Sequence, residues 1–167
     1  LLPSPEGSPY HVQADVLVTA YHGKWDLMIA HPPCTHLAVS GARWFKDKQK
    51  EQEQALWFVQ LLMDAPIPKI AIENPVSVIS SYIRKPDQIV QPWMFGDEAT
   101  KTTCLWLKNL PKLVPTNIVG KGERHITKSG RSLPKWYNLP PSEDRAMIRS
   151  TTFPGFAAAM AAQWGAE

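Results

Sequence analysis

Cys34 and Glu73 are the two side chains of this sequence whose types and settings suggest covalent chemistry. Cys34 follows Pro32 and Pro33, and Glu73 precedes Asn74 and Pro75. A thiolate is a nucleophile, and a carboxylic acid can supply the proton that a nucleophilic addition needs. Taken alone, a cysteine reads as a small buried hydrophobe and a glutamate as a solvated loop residue. Their settings match, however. Each stands at the carboxyl end of a short apolar run, Leu27-Met28-Ile29-Ala30 and Lys69-Ile70-Ala71-Ile72, which predicts two buried strands delivering reactive residues to one sheet edge. A helix-length segment separates them, so the pair reads as a βαβ unit with thiol and carboxylate in one crevice.

The elements that must hold this pair can be read outward from it. Two consecutive prolines end the first strand and fix φ on both sides of the turn, leaving Cys34 rigid and exposed. His31 and His36 flank the turn, and an imidazolium there would favour the thiolate. The same His-x-x-Cys-x-His spacing offers three metal ligands, but no fourth ligand cluster accompanies it and the prolines resist wrapping around an ion, so no metal is expected. Arg43, Trp44 and Phe45 lie in a loop after the turn, where an arginine with aromatics can stack a base or pack under the next helix. That helix is expected over 47–64, capped by Asp47, with Ala55, Phe58, Val59 and Leu62 on one face, widened by Trp57 and Leu61. Residues 15–20 form a short apolar run that reads as a strand or the start of a crossover. After Glu73 the chain turns out at Asn74-Pro75, forms a turn or two of helix over 76–82, and continues as strands over 88–91 and 100–107. A helix start capped by Ser142, with Glu143 and Asp144 in its first turn, and an Ala-rich helix from Phe153 to Trp164 close the chain.

The chain has 167 residues, 44% of them hydrophobic, with a formal net charge of +3. This fits a single domain over 1–167 with a real core. No apolar run is long enough to span a bilayer and no secretory signal opens the chain, so a soluble, cytoplasmic protein without membrane contact is expected. Two cysteines are too few for a disulfide scaffold. Basic residues concentrate over 120–135, where Lys121, Arg124, Lys128, Arg131 and Lys135 face a single acid, Glu123, among glycines 120, 122 and 130. The segment reads as a mobile arm contacting phosphates, or equally as a solvated loop.

Asp26-Leu27-Met28-Ile29-Ala30-His31-Pro32-Pro33-Cys34 resembles the Pro-Pro-Cys motif of DNA cytosine-5 methyltransferases, and Ile72-Glu73-Asn74-Pro75 resembles their Glu-Asn motif. The chain as a whole, from Leu1 to about Gly165, resembles short phage and prophage proteins of that kind. The resemblance implies an α/β fold with a Rossmann-like methyltransferase sheet and flanking helices, in the cytoplasm of a bacterial host cell. It implies S-adenosylmethionine as cofactor and DNA as partner. It makes Cys34 the nucleophile at cytosine C6, Glu73 the group assisting at N3, and Lys101 the basic residue beside the base and the carboxylate. Asp15, Pro32 and Phe153 fall at the methyl-donor site. Arg43 falls in the loop that closes on DNA, which Lys121, Arg124, Lys128 and Arg131 would also contact.

In such proteins a first strand, a glycine turn and a second strand ending in an acid precede the point where this sequence starts, and they hold the donor. The sheet is therefore expected to be incomplete at its amino-terminal end. An oligomer or a complementing chain would supply the missing part. Otherwise the chain would be a catalytically inactive nucleic-acid or nucleotide binder derived from the fold, and a third reading is a cysteine enzyme acting on free pyrimidine nucleotides.

Overall fold

The computed structural model describes residues 8–135, 141–142 and 145–165. In chain order its elements are α1 (Val16–His22), β1 (Leu27–Ala30), a 3-10 stretch (Val39–Asp47), α2 (Gln49–Asp64), β2 (Lys69–Pro75), α3 (Ile79–Tyr82) and β3 (Gln88–Val90). A short 3-10 turn (Pro92–Met94), β4 (Thr103–Lys108), β5 (Arg124–Ile126), β6 (Ser132–Pro134), α4 (Arg145–Ser150) and α5 (Pro154–Trp164) follow. The architecture is mixed α/β: a four-stranded sheet in the order β1-β2-β4-β3, with flanking helices and a separate β5–β6 hairpin. Only β1 and β2 run parallel, joined through α2 as a βαβ unit; β4 is antiparallel to both β2 and β3.

Alternation along β2 sorts the core into two layers, because successive side chains of a strand point to opposite faces. Ile70 and Ile72 join Trp106 on one face, where α2 lays down Val59 and Leu62 and α1 adds Ala20. Ala71 and Leu105 lie on the other, under Phe156, Ala159, Met160 and Trp164 of α5. On α2 the expected face is present, with Ala55 and Phe58 against the same core. Trp57 is not part of it: its side chain is 65% exposed, and Leu56 packs inward instead. Asp47 does not cap this helix either, since it ends the 3-10 stretch and Lys48 stands at the cap position with no side-chain hydrogen bond.

Two further segments depart from the sequence reading. Residues 15–20 enter a helix: Asp15 Oδ1 accepts the N–H groups of Leu17 (2.8 Å) and Val18 (3.1 Å), and this N-cap outweighs the β preference of the valines. The helix is then docked by Tyr21, whose hydroxyl donates to the Leu61 carbonyl at 2.9 Å. β2 does not end at Ile72. It continues through Glu73, Asn74 and Pro75, opposite Leu105, Cys104 and Thr103 of β4, and proline is tolerated at the last position of the ladder.

β4 leaves the sheet through Asn109, which adopts a left-handed backbone (φ 53°) and donates its side-chain amide to the Pro68 carbonyl at 2.8 Å. The β3 edge is tied by Asp87, whose carboxylate accepts the Leu107 N–H (2.6 Å) and the Arg84 guanidinium (2.7 Å). Burial works to raise the Asp87 pKa, but these two donors overcome it and hold it below the ordinary value. A carboxylate with a depressed folded pKa contributes stability above its unfolded pKa and loses it as pH falls through the folded one. Asp87→Ala is therefore expected to cost about 1 kcal/mol near neutrality, after allowing for solvent screening. In thermal melts the difference from wild type should close as pH drops below about 4; a gap unchanged at pH 3 would exclude this account.

Within the basic segment, Arg124–Ile126 and Ser132–Pro134 pair as a β hairpin. Arg124 opposes Pro134 and Ile126 opposes Ser132, around a turn in which Gly130 takes φ 77°. Glu143 and Asp144, expected in a first helical turn behind Ser142, lie outside the described residues, and α4 runs from Arg145. No helix among the described residues is long and apolar enough to cross a membrane.

Candidate active site

The parallel β1–β2 pair brings the two reactive residues to the same end of the sheet, Cys34 in the turn after β1 and Glu73 within β2. That turn is strapped to the exit of β2. Asn74 is 1% exposed, and its Nδ2 donates to the Pro32 carbonyl at 2.9 Å. Val39 N–H donates to the Val76 carbonyl (3.1 Å) and Val78 N–H to the Leu37 carbonyl (2.9 Å), while Leu37 and Ala38 N–H both donate to the Cys34 carbonyl. Asn74 Oδ1 is buried without a partner among the described residues. A buried polar residue with half its amide unsatisfied carries a desolvation cost, and what it gains here is a fixed Pro-Pro-Cys turn.

Cys34 is exposed and unbridged, as a nucleophile must be, whereas Cys104 is buried beside Asn74 in the β2–β4 register. Burial and the nearby Glu73 charge push the Cys104 thiol up, so it is not a competing thiolate. Glu73, 16% exposed, receives His31: ring Nδ1 lies 3.2 Å from Oε2, across 42 residues of sequence. His31 thus meets the carboxylate, and no group of three or more His, Cys, Asp or Glu side chains placed to hold a metal occurs among the described residues.

Lys101 stands close by on the segment leading into β4. Its ammonium donates to the Arg149 carbonyl at 3.0 Å and lies 5.8 Å from the centre of the Phe153 ring. Burial lowers its pKa, with the like charge of Arg149 adding to the effect, while the charges of Glu73 and Cys34 oppose it. One electrostatic cluster therefore contains all three expected catalytic residues. Glu73, Lys101, Thr103 and Phe153 line a cleft whose free space is about 10 Å³, room for a single water molecule.

The three residues expected at the methyl-donor site belong to three different elements. Asp15 caps α1, on the sheet face covered by α2. Phe153 precedes α5, on the opposite face. Pro32 is buried in the turn with its carbonyl given to Asn74, and the cleft that Phe153 lines includes neither Pro32 nor Asp15.

The expected nucleic-acid contacts divide into free and engaged cations. Lys128 and Arg131 are exposed at the hairpin turn. Arg124 is turned back onto Ser132, donating from Nε to Oγ at 2.7 Å, and Lys121 lies 5.3 Å from the Trp93 ring centre. Arg43 stacks 5.0 Å from the centre of the Trp44 ring, and Trp44 is 55% exposed. The hairpin base is anchored beside the site, because Thr100 Oγ1 donates to the Lys121 carbonyl at 2.7 Å, one residue before Lys101. Sequence reasoning missed His31 as a partner of Glu73 and Asn74 as the clamp on Pro32. Compared with protein-family models, curated proteins and solved structures, the chain finds no match.

Proposed function

We propose that this protein is a DNA cytosine-5 methyltransferase-like protein that adds the Cys34 thiolate to C6 of a cytosine flipped from DNA, with Glu73 assisting at N3. The observation that supports the reading is an exposed thiol in the turn after β1 and a carboxylate within β2 at the same end of the parallel pair, with the turn held to β2 by the Asn74–Pro32 hydrogen bond. As sulfur bonds to C6, the C5–C6 π pair moves through the ring to N3, which takes the Glu73 proton; C5 becomes enamine-like. Lys101 balances the charge on Glu73 and the base. Extrusion of the base is needed because neither atom can be reached inside a duplex.

The test needs no methyl donor. After addition, C5 accepts a proton from solvent, loses the original hydrogen, and the thiolate leaves by β-elimination. Duplex DNA incubated with the protein in heavy water should gain deuterium at cytosine C5. No exchange at saturating DNA would overturn the proposal. Calorimetric titration with S-adenosylmethionine then asks separately whether methyl transfer follows.

DNA is held in this reading by the hairpin tip and by Arg43-Trp44. Changing Lys128 and Arg131 together to glutamine should lower the slope of log affinity against log salt by about 1.8, and weaken all sequences alike. Fluorescence anisotropy across a salt series measures this, and an unchanged slope would remove the hairpin from the interface.

A further inference from the structure

A carboxyl group must carry a proton at the moment it assists N3, yet carboxyl groups in water are ionised at neutral pH. Glu73 has little direct access to solvent, since its side chain is 16% exposed, whereas the His31 ring beside it is 40% exposed. Nδ1 of that ring is 3.2 Å from Oε2, and the rest of the imidazole reaches water. Around the carboxyl stand Lys101 from the segment before β4 and the Cys104 thiol from β4, with the Cys34 thiol and Arg149 of α4 acting in turn on Lys101. Histidine is the one group in this set whose ordinary titration range lies near neutrality.

We propose that His31 is a positioning residue for Glu73 and its proton source, connecting the covered carboxyl to solvent. This rests on the function proposed above. When N3 takes the proton from the Glu73 carboxyl, the carboxylate recovers one from Nδ1–H of the imidazolium, and the ring, now neutral, is reprotonated from water. One proton enters from solvent for each one delivered to the base. On the return path the same proton travels back as sulfur leaves C6.

The experiment is the C5 deuterium exchange with duplex DNA, run from pH 6 to pH 9 for wild type, His31→Gln, His31→Phe and Glu73→Gln. His31 is exposed, so its variants should fold, which circular dichroism and thermal melts check. Glu73→Gln should lose roughly a hundredfold or more at every pH. His31→Gln keeps a hydrogen-bonding side chain without an ionisable proton. At pH 6, where an imidazole ordinarily carries the proton to be donated, it should fall roughly tenfold or more behind wild type, and by pH 8.5, where the wild-type ring has lost that proton as well, it should come within about threefold. Taking the ratio to wild type cancels the pH dependence of the thiolate, common to both. His31→Phe should show the same ratio, closing as pH rises, on top of a constant loss from poorer placement of Glu73. A ratio for His31→Gln that does not change with pH would mean that the histidine only holds the carboxyl, and would overturn the proton-source role. Exchange by wild type with an unaltered His31→Gln profile defeats this inference alone; no exchange by wild type defeats it together with the function on which it rests.

Discussion

Cys34→Ser is expected to abolish deuterium exchange at cytosine C5, by at least about a thousandfold, while leaving DNA affinity within about twofold of wild type. Serine is nearly isosteric and Cys34 is exposed, so the fold and the phosphate contacts should be indifferent to the change. What disappears is the nucleophile, because an unactivated hydroxyl is far less readily ionised than a thiol. The second thiol cannot stand in: Cys104 is buried in β4, where burial and the Glu73 charge disfavour its thiolate. Mass spectrometry of the DNA reads the exchange, and anisotropy reads the binding. Retained exchange in the variant would assign the addition to some other group and remove Cys34 from the chemistry.

Gly155→Ala carries the largest expected effect on stability, in a direction opposite to helix propensity. In a helix interior alanine is favoured over glycine by up to about 1 kcal/mol. Here a Cβ on residue 155 would lie 1.9 Å from the Phe95 carbonyl oxygen and 2.8 Å from Asp97 Oδ2. The first turn of α5 rests directly on that backbone, with the Gly155 N–H donated to Asp97 Oδ2 at 2.9 Å and the Phe95 and Phe156 rings 5.4 Å apart. Alanine must lift the helix away, and Phe156, Ala159, Met160 and Trp164 lose part of their burial with it. We expect a loss of about 3 kcal/mol, which for a chain of this size is roughly 6–12 °C in Tm. Ala158→Gly, on the exposed side of the same helix, should cost under about 1 kcal/mol. A stabilised Gly155→Ala would show that the close approach of α5 to residues 95–97 is not part of the fold.

What could be read in the sequence follows a physical pattern. The βαβ unit was legible because two apolar runs of strand length bracket a segment whose apolar residues recur at helical spacing, and burial on the sheet enforces both patterns. Local competition was harder to weigh. At 15–20 the valines favour a strand, yet one capping aspartate tips the segment into a helix. Glu73-Asn74-Pro75 carries turn chemistry, but pairing with β4 keeps it in the ladder. Trp57 sits one position from Leu56 and Phe58, and a single residue of helix rotation decides which side chain meets the core. Of the candidate site, the delivery of Cys34 and Glu73 to one end of the sheet could be read from their settings. The His31–Glu73 contact and the Asn74–Pro32 bond each join residues 42 positions apart, and only the register between β1 and β2 creates them.

That register also decides when disorder is given up. Glu73 is built into a strand paired on both sides, and the Cys34 turn is laced to the exit of the same strand through Asn74, Val76 and Val78. Thiol and carboxyl therefore belong to one rigid body, and the configurational entropy of bringing them together is lost on folding rather than on meeting a substrate. An approaching base has only its own translation and rotation to surrender, which is where a prearranged pair of groups gains its rate. In the proposed reaction the same rigidity would make the pair selective, since a ring whose electrophilic carbon and basic nitrogen are spaced differently would find the two groups unable to adjust to it.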